Sequence, residues 1–143
     1  MSTAKLSQVT VGGPDAPNHS KFFLTNGSVG FSSGTVLDAI IVNGDHVGGG
    51  GANQASFTLE EGEYFNGFSA TSDPGYMGGV VTAIKLTTNK GRSVSANASA
   101  LPATGNPTVS AVVTDCILYG IELISGDFIN QITFSYISNP SIQ

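Results

Sequence analysis

Three segments of the sequence align without a gap: GTVLDAIIV from Gly34, GGVVTAIKL from Gly78 and GDFINQITF from Gly126. They begin 44 and 48 residues apart, close to a third of the 143-residue chain. Repetition at such a spacing marks a supersecondary unit that buries its apolar side only against its neighbours. Three copies therefore predict three related units about a pseudo-threefold axis. In each copy the residues alternate with period two, as a half-buried strand requires. One face collects Ile40 and Val42, Ile84 and Leu86, Ile132 and Phe134, which are expected in the core. The other collects Ala39 and Ile41, Ala83 and Lys85, Gln131 and Thr133, expected near solvent or at a subunit contact. The fifth positions are Asp38, Thr82 and Asn130. They share the core parity but stand at the strand start, where a polar group can stay wet at the rim.

Further strands are expected over 22–25, 28–33, 54–59, 65–71, 93–96, 109–114 and 117–124, separated by Gly, Asn, Asp and Pro turns. With 19 glycines, many Ser and Thr, and strand-forming Val, Ile and Phe, the chain reads as all-β and as one domain over 1–143, with residues 1–5 flexible. Regular short strands fit a sandwich, a barrel or a three-sheet prism, and the repeat favours the prism.

A net charge of −5 and a charged fraction of 10% offer no basic patch to neutralise phosphates, so nucleic acid is a poor partner. The longest apolar runs are strand-sized, and membrane insertion is not expected. The opening MSTAKLSQ has no apolar core of a secretory signal. A soluble protein is the default, cytoplasmic unless it leaves by a non-classical route. Cys116, the single cysteine, permits no internal disulfide and suits a small buried position.

A Gly-x-x-x-Asp turn beside a glycine loop has a definite chemistry. A glycine with positive φ tightens the strand entry and leaves the following N–H groups outward. An ionised carboxylate accepts two hydrogen bonds and donates none. Gly48–Gly51 follows Asp38 closely and lacks side chains that would hold a ligand away. Vicinal sugar hydroxyls, which donate and accept, match this set with no cofactor and no metal. Taken alone, the same residues read first as a hairpin connection and a turn carboxylate.

GTVLDAI at 34–40, the glycine run 48–51, FTL at 57–59 followed by GEY at 62–64, LTTNKGR at 86–92 and GDFINQI at 126–132 together resemble the successive hallmarks of jacalin-related lectins, over roughly residues 10–137. The resemblance implies a β-prism I fold: three four-stranded antiparallel sheets with pseudo-threefold symmetry. It also implies sugar binding at the prism end by the aspartate, nearby backbone N–H groups and a glycine loop. Carried over residue by residue, the first repeat is intact, with Gly34, Thr35, Val36 and Asp38 facing Gly49 and Gly50. The third keeps Gly126, Asp127 and Phe128 but has Asn130 at the acidic position, opposite the loop 11–15 with Gly12 and Gly13. An amide carries no charge, so bonds there weaken. The second has Thr82, and residues 93–100 hold no glycine pair, so no sugar is expected there. Phe128 is placed to stack on a sugar or to cover the prism end.

Glu60, Glu61 and Glu63 read as a solvated turn, since adjacent carboxylates on one turn cannot flank a glycosidic bond. His19 and His46 are far apart and match no metal spacing, although His46 borders the glycine loop. The glycine run lacks the Gly-Lys-Ser/Thr ending of a phosphate loop. An enzyme is not expected. The expected ligands are mono- or oligosaccharides and glycoproteins of mannose or glucose type, because residues 1–10 precede Gly12 whereas galactose-type members resemble proteins cleaved to expose an N-terminal glycine. The alternative is an interaction module that kept the prism and lost the sugar. A homo-oligomer is expected, to multiply weak sites.

Overall fold

The computed structural model describes residues 5–13, 16–34, 36–50, 53–73, 80–97 and 109–138. Their strands are β1 (Lys5–Gly12), β2 (Asn18–Phe23), β3 (Ser28–Ser33), β4 (Leu37–Val42), β5 (Asp45–Gly48), β6 (Asn53–Thr58), β7 (Phe65–Asp73), β8 (Val80–Thr88), β9 (Ser93–Asn97), β10 (Val109–Val113), β11 (Cys116–Ser125) and β12 (Ile129–Ser138). They form three four-stranded sheets ordered β5-β4-β3-β6, β10-β7-β8-β9 and β1-β12-β11-β2. Every pairing is antiparallel. Each sheet has a central hairpin, β3–β4, β7–β8 or β11–β12, carrying one copy of the sequence repeat on its second strand. The first two sheets take their outer strands from the residues that follow. The third takes them from β1 and β2, so the repeat is closed by circular permutation.

The three copies share a β-bulge. Ser32 pairs with Ala39 and Ser33 with Leu37, skipping Asp38. Thr71 pairs with Ala83 and Ser72 with Val81, skipping Thr82. Ile124 pairs with Gln131 and Ser125 with Ile129, skipping Asn130. An extra residue without a cross-strand partner bends the strand and re-aims its side chain. The bulge removes Asp38, Thr82 and Asn130 from the core parity and gives the inward place to Leu37, Val81 and Ile129, each 0% exposed. Burying each such side chain contributes about 1.5–3 kcal/mol.

The six expected core residues Ile40, Val42, Ile84, Leu86, Ile132 and Phe134 are all buried in one cluster fed by the three sheets. Phe68 and Phe134 stack at 4.2 Å across it, with Tyr136 edge-on to Phe68 at 5.5 Å. Cys116 is buried at the base of β11, and burial pushes its thiol up to about 11.

Four expectations need correction. Ala39 is fully buried rather than near solvent, because its strand is flanked on both sides, with Ser32 of β3 and Gly48 of β5 as its direct partners. β1 and β5 are strands that the pattern did not announce, and Lys5, paired with Ser138, is the first residue of β1. Gly34 is not among the positive-φ glycines, a role taken by Gly48 (φ 105°) and Gly12 (φ 121°). Glu63, expected in a solvated turn, is buried. Its carboxylate accepts from Thr88 Oγ1 at 2.6 Å, from the Glu60 N–H at 2.8 Å and from Arg92 Nη1 at 2.8 Å. Arg92 lies 4.3 Å over the Phe57 ring. Desolvation raises the Glu63 pKa, but the Thr88 and Glu60 hydrogen bonds and the Arg92 and Lys90 charges outweigh it and hold the group below its ordinary value. This clamp lies at the end of the prism away from Asp38.

Candidate functional site

The turn between β3 and β4 and the loop after β5 meet at one prism end, and the bulge at Asp38 lies between them. The turn is closed by the Gly34 N–H donating to the Val36 carbonyl at 3.0 Å. A Cβ on Gly34 would stand 3.4 Å from Asp38 Oδ2, in van der Waals contact with the carboxylate. Val36 is buried and anchors the turn from below. Thr35 lies outside the described residues, as do Pro14 and Asp15 of the third-repeat loop. Asp38 itself is half-buried, and desolvation raises its pKa.

On the other wall, the Gly49 N–H donates to the Asp38 carbonyl at 2.8 Å. A Cβ on Gly48 would collide with that same carbonyl, and one on Gly49 with the Asp127 carbonyl of the third repeat. The Gly49 carbonyl accepts from His46 Nε2 at 2.6 Å. Gly49 is thus fixed on three sides, with its amide bonded within the scaffold. Gly50 is exposed with nothing within 4 Å of its would-be Cβ, so the open stretch of the wall begins there. His46 buttresses the loop, which is a role its position in the sequence did not specify.

The third repeat repeats this frame. The Gly126 N–H donates to the Phe128 carbonyl at 3.1 Å, and the Gly13 N–H to the Asn130 carbonyl at 2.8 Å. A Cβ on Gly12 would collide with the Asn130 carbonyl, as one on Gly48 would with that of Asp38. Asn130 and Phe128 are half-buried and Asp127 is exposed. Gln131 Nε2 reaches over to the Gly13 carbonyl at 2.7 Å. The two repeats are the same cradle with a carboxylate in one and an amide in the other.

In the second repeat, Asn97 pairs with Ala83 where Gly48 pairs with Ala39 and Gly12 with Gln131. Thr82 is 8% exposed, and its hydroxyl bonds Thr71 Oγ1 at 2.8 Å. The hydroxyl is therefore turned into the sheet. Residues 74–79 and 98–108 lie outside the described residues.

The fold also joins residues that the sequence left apart. His19 on β2 and His46 on β5 line one crevice of about 540 Å³ at the seam between two sheets. Only the assignment of β2 to the sheet of β11 places the two histidines together. No group of three or more His, Cys, Asp or Glu that could hold a metal occurs among the described residues.

Residues 27–135 match the Jacalin-like lectin domain family. No curated protein matches the chain. Among solved structures, the wild-type Malaysian banana lectin is similar at 23% identity, with a TM-score of 0.63, over 93% of this chain and 100% of that one. A mannose binding jacalin related lectin from Ananas comosus is similar at 14% identity and a TM-score of 0.66, over 94% of this chain and 98% of that one. The second β-prism domain of RbmC from V. cholerae, bound to N-acetylglucosaminyl-β-1,2-mannose, is similar at 22% identity and a TM-score of 0.61, over 85% and 94%. These likenesses carry the fold, a β-prism. No helix among the described residues is long and apolar enough to cross a membrane.

Proposed function

Because this chain belongs to the jacalin-like lectin domain family, we propose that it is a non-enzymatic lectin that binds mannose- or glucose-type sugars at the first repeat. The observation that carries the reading is the half-exposed carboxylate of Asp38, held on a bulge between the Gly34–Val36 turn and a glycine loop whose backbone is already fixed. An ionised acceptor beside a rigid, side-chain-free wall suits a pair of vicinal hydroxyls. Gly50, on the open part of that wall, supplies the backbone contact, while Gly49 positions it. The third repeat is a weaker second site, with Asn130 accepting through its uncharged amide oxygen and Phe128 offering its ring. Support for the sugar type comes from the mannose binding lectin of Ananas comosus and from RbmC with its mannose-containing disaccharide.

A shallow polar site of this kind corresponds to a Kd of about 0.1–1 mM for one sugar, near −4 to −5.5 kcal/mol. A homo-oligomer raises that to useful avidity. The exposed Leu6, Phe23 and Val112 offer apolar surface for such assembly. Calorimetric titration with methyl α-mannoside tests the reading: wild type binds, and Asp38→Ala keeps at most the weaker third-repeat binding. Equal binding by Asp38→Ala, or none by wild type, sinks it. The engaged hydroxyl of Thr82 favours a second reading, an interaction module in which sugar recognition has decayed. That reading predicts protein partners that free mannose does not displace.

A further inference from the structure

The crevice between β2 and β5 opens where the two sugar cradles meet. Its walls are Asn18, His19 and Ser20 on one side and His46 and Gly48 on the other, with Gly126 at its mouth. Gly48 belongs to the first-repeat wall and Gly126 begins the third-repeat turn, so the crevice is continuous with both. The cradles themselves touch, because Gly49 packs against the Asp127 carbonyl. Among the described residues, no Lys, Arg, Asp or Glu lines the crevice. Its surface is mostly amide, hydroxyl, imidazole and backbone, with Pro17 and Val47 as its apolar part. Its volume of about 540 Å³ lies within the range of small-molecule sites, about 300–1,000 Å³.

We propose that this crevice is a second binding position, holding further pyranose units of an oligosaccharide whose first sugar sits at Asp38. The inference rests on the lectin reading above. An uncharged, donor- and acceptor-rich lining gives a phosphate or a carboxylate no counter-charge, whereas the hydroxyls of a neutral glycan both donate and accept. The imidazoles of His19 and His46 are exposed, and an aromatic ring packs well on the C–H side of a sugar. Continuity with Gly48 and Gly126 lets one glycan occupy cradle and crevice at once. Joining the two in one ligand makes the second contact intramolecular, which compensates for a weak first site.

Titrations of methyl α-mannoside and of a branched mannotriose test this, on wild type and on Asn18→Ala and His19→Ala. Both substitutions are at exposed positions of an edge strand, away from Asp38, and His46 is left in place because it holds Gly49. The trisaccharide is expected to bind wild type about tenfold tighter than the methyl glycoside, a difference of about 1.4 kcal/mol. In each variant that advantage is expected to shrink several-fold, with methyl mannoside binding unchanged as the check on folding. Gln8→Ala, on the opposite edge of the same sheet, is the control and keeps the full advantage. If methyl mannoside binds but the trisaccharide is no tighter, or if both variants keep the whole advantage, the crevice is overturned and the Asp38 site stands. If neither sugar binds, the lectin reading falls and the crevice with it.

Discussion

Gly49 and Asp38 are joined through their backbones, the amide of one donating to the carbonyl of the other at 2.8 Å, and Gly13 and Asn130 repeat the bond at 2.8 Å. The glycine loop is therefore part of the bulge that presents the acidic side chain. Loop and carboxylate form one rigid object.

Rigidity of this kind is sensitive to a single methyl. Gly48 has φ 105°, and its Cβ would meet the Asp38 carbonyl, so Gly48→Ala must both strain its own backbone and displace the bulge. A cost of about 1–3 kcal/mol in urea unfolding is expected, with loss of sugar binding. Gly50→Ala, with open space around it, is expected to stay within about 0.5 kcal/mol of wild type. Equal stability of the two variants would show that the backbone bond does not hold the loop.

The third repeat differs from the first at the acidic position while keeping the frame, so Asn130→Asp should complete it. Calorimetric stoichiometry for methyl mannoside is expected to rise from one toward two per chain. Thr82→Asp is expected to add no site, because Asn97 stands where the other repeats have glycine and because Thr82 is buried. There the new carboxylate lowers stability instead, since burying a charge without a partner is costly.

The architecture was legible because the repeat is local: GTVLDAIIV and its two relatives announce their strands and their inward residues in one line of sequence. The bulge was not. Parity alone put Asp38 on the inward face, and only the skipped pairing between Ser32 and Ser33 shows why Leu37 takes that place. The positive φ was assigned to Gly34 and belongs to Gly48, because a turn glycine and a close-approach glycine look alike until the facing strand is known. β1 was illegible for a different reason, since its partner β12 is more than a hundred residues away in the chain and its outward face, Leu6 to Thr10, mixes apolar and polar residues. Glu63 looked like its neighbours Glu60 and Glu61. Its burial depends on Arg92 and Thr88, which arrive from another hairpin.

Glu63 should make the fold sensitive to acid. Its folded pKa lies below the ordinary 4.5, so its contribution is complete above that value and is lost as pH falls through the lowered folded value. Melting temperatures of wild type and Glu63→Gln are expected to differ most at neutral pH and to converge in acid. A constant gap between the two curves from pH 7 to pH 2 would remove the charge of Glu63 from the explanation.

Asp38 has the opposite sign. Desolvation places its folded pKa above the ordinary 3.8, so the folded protein holds the proton more tightly than the unfolded chain, and the ionised form weakens the fold at every pH above that range. Two consequences can be measured separately. Sugar affinity, which needs the charged acceptor, should fade as pH falls, and it should do so at a higher pH than for an unperturbed aspartate. Asp38→Asn should melt slightly above wild type at neutral pH, lose that advantage in acid, and bind sugar no better than the third repeat does with Asn130. A variant that loses binding while gaining stability is the signature of a carboxylate kept for recognition at a cost to the fold. One that loses both would make Asp38 a structural residue.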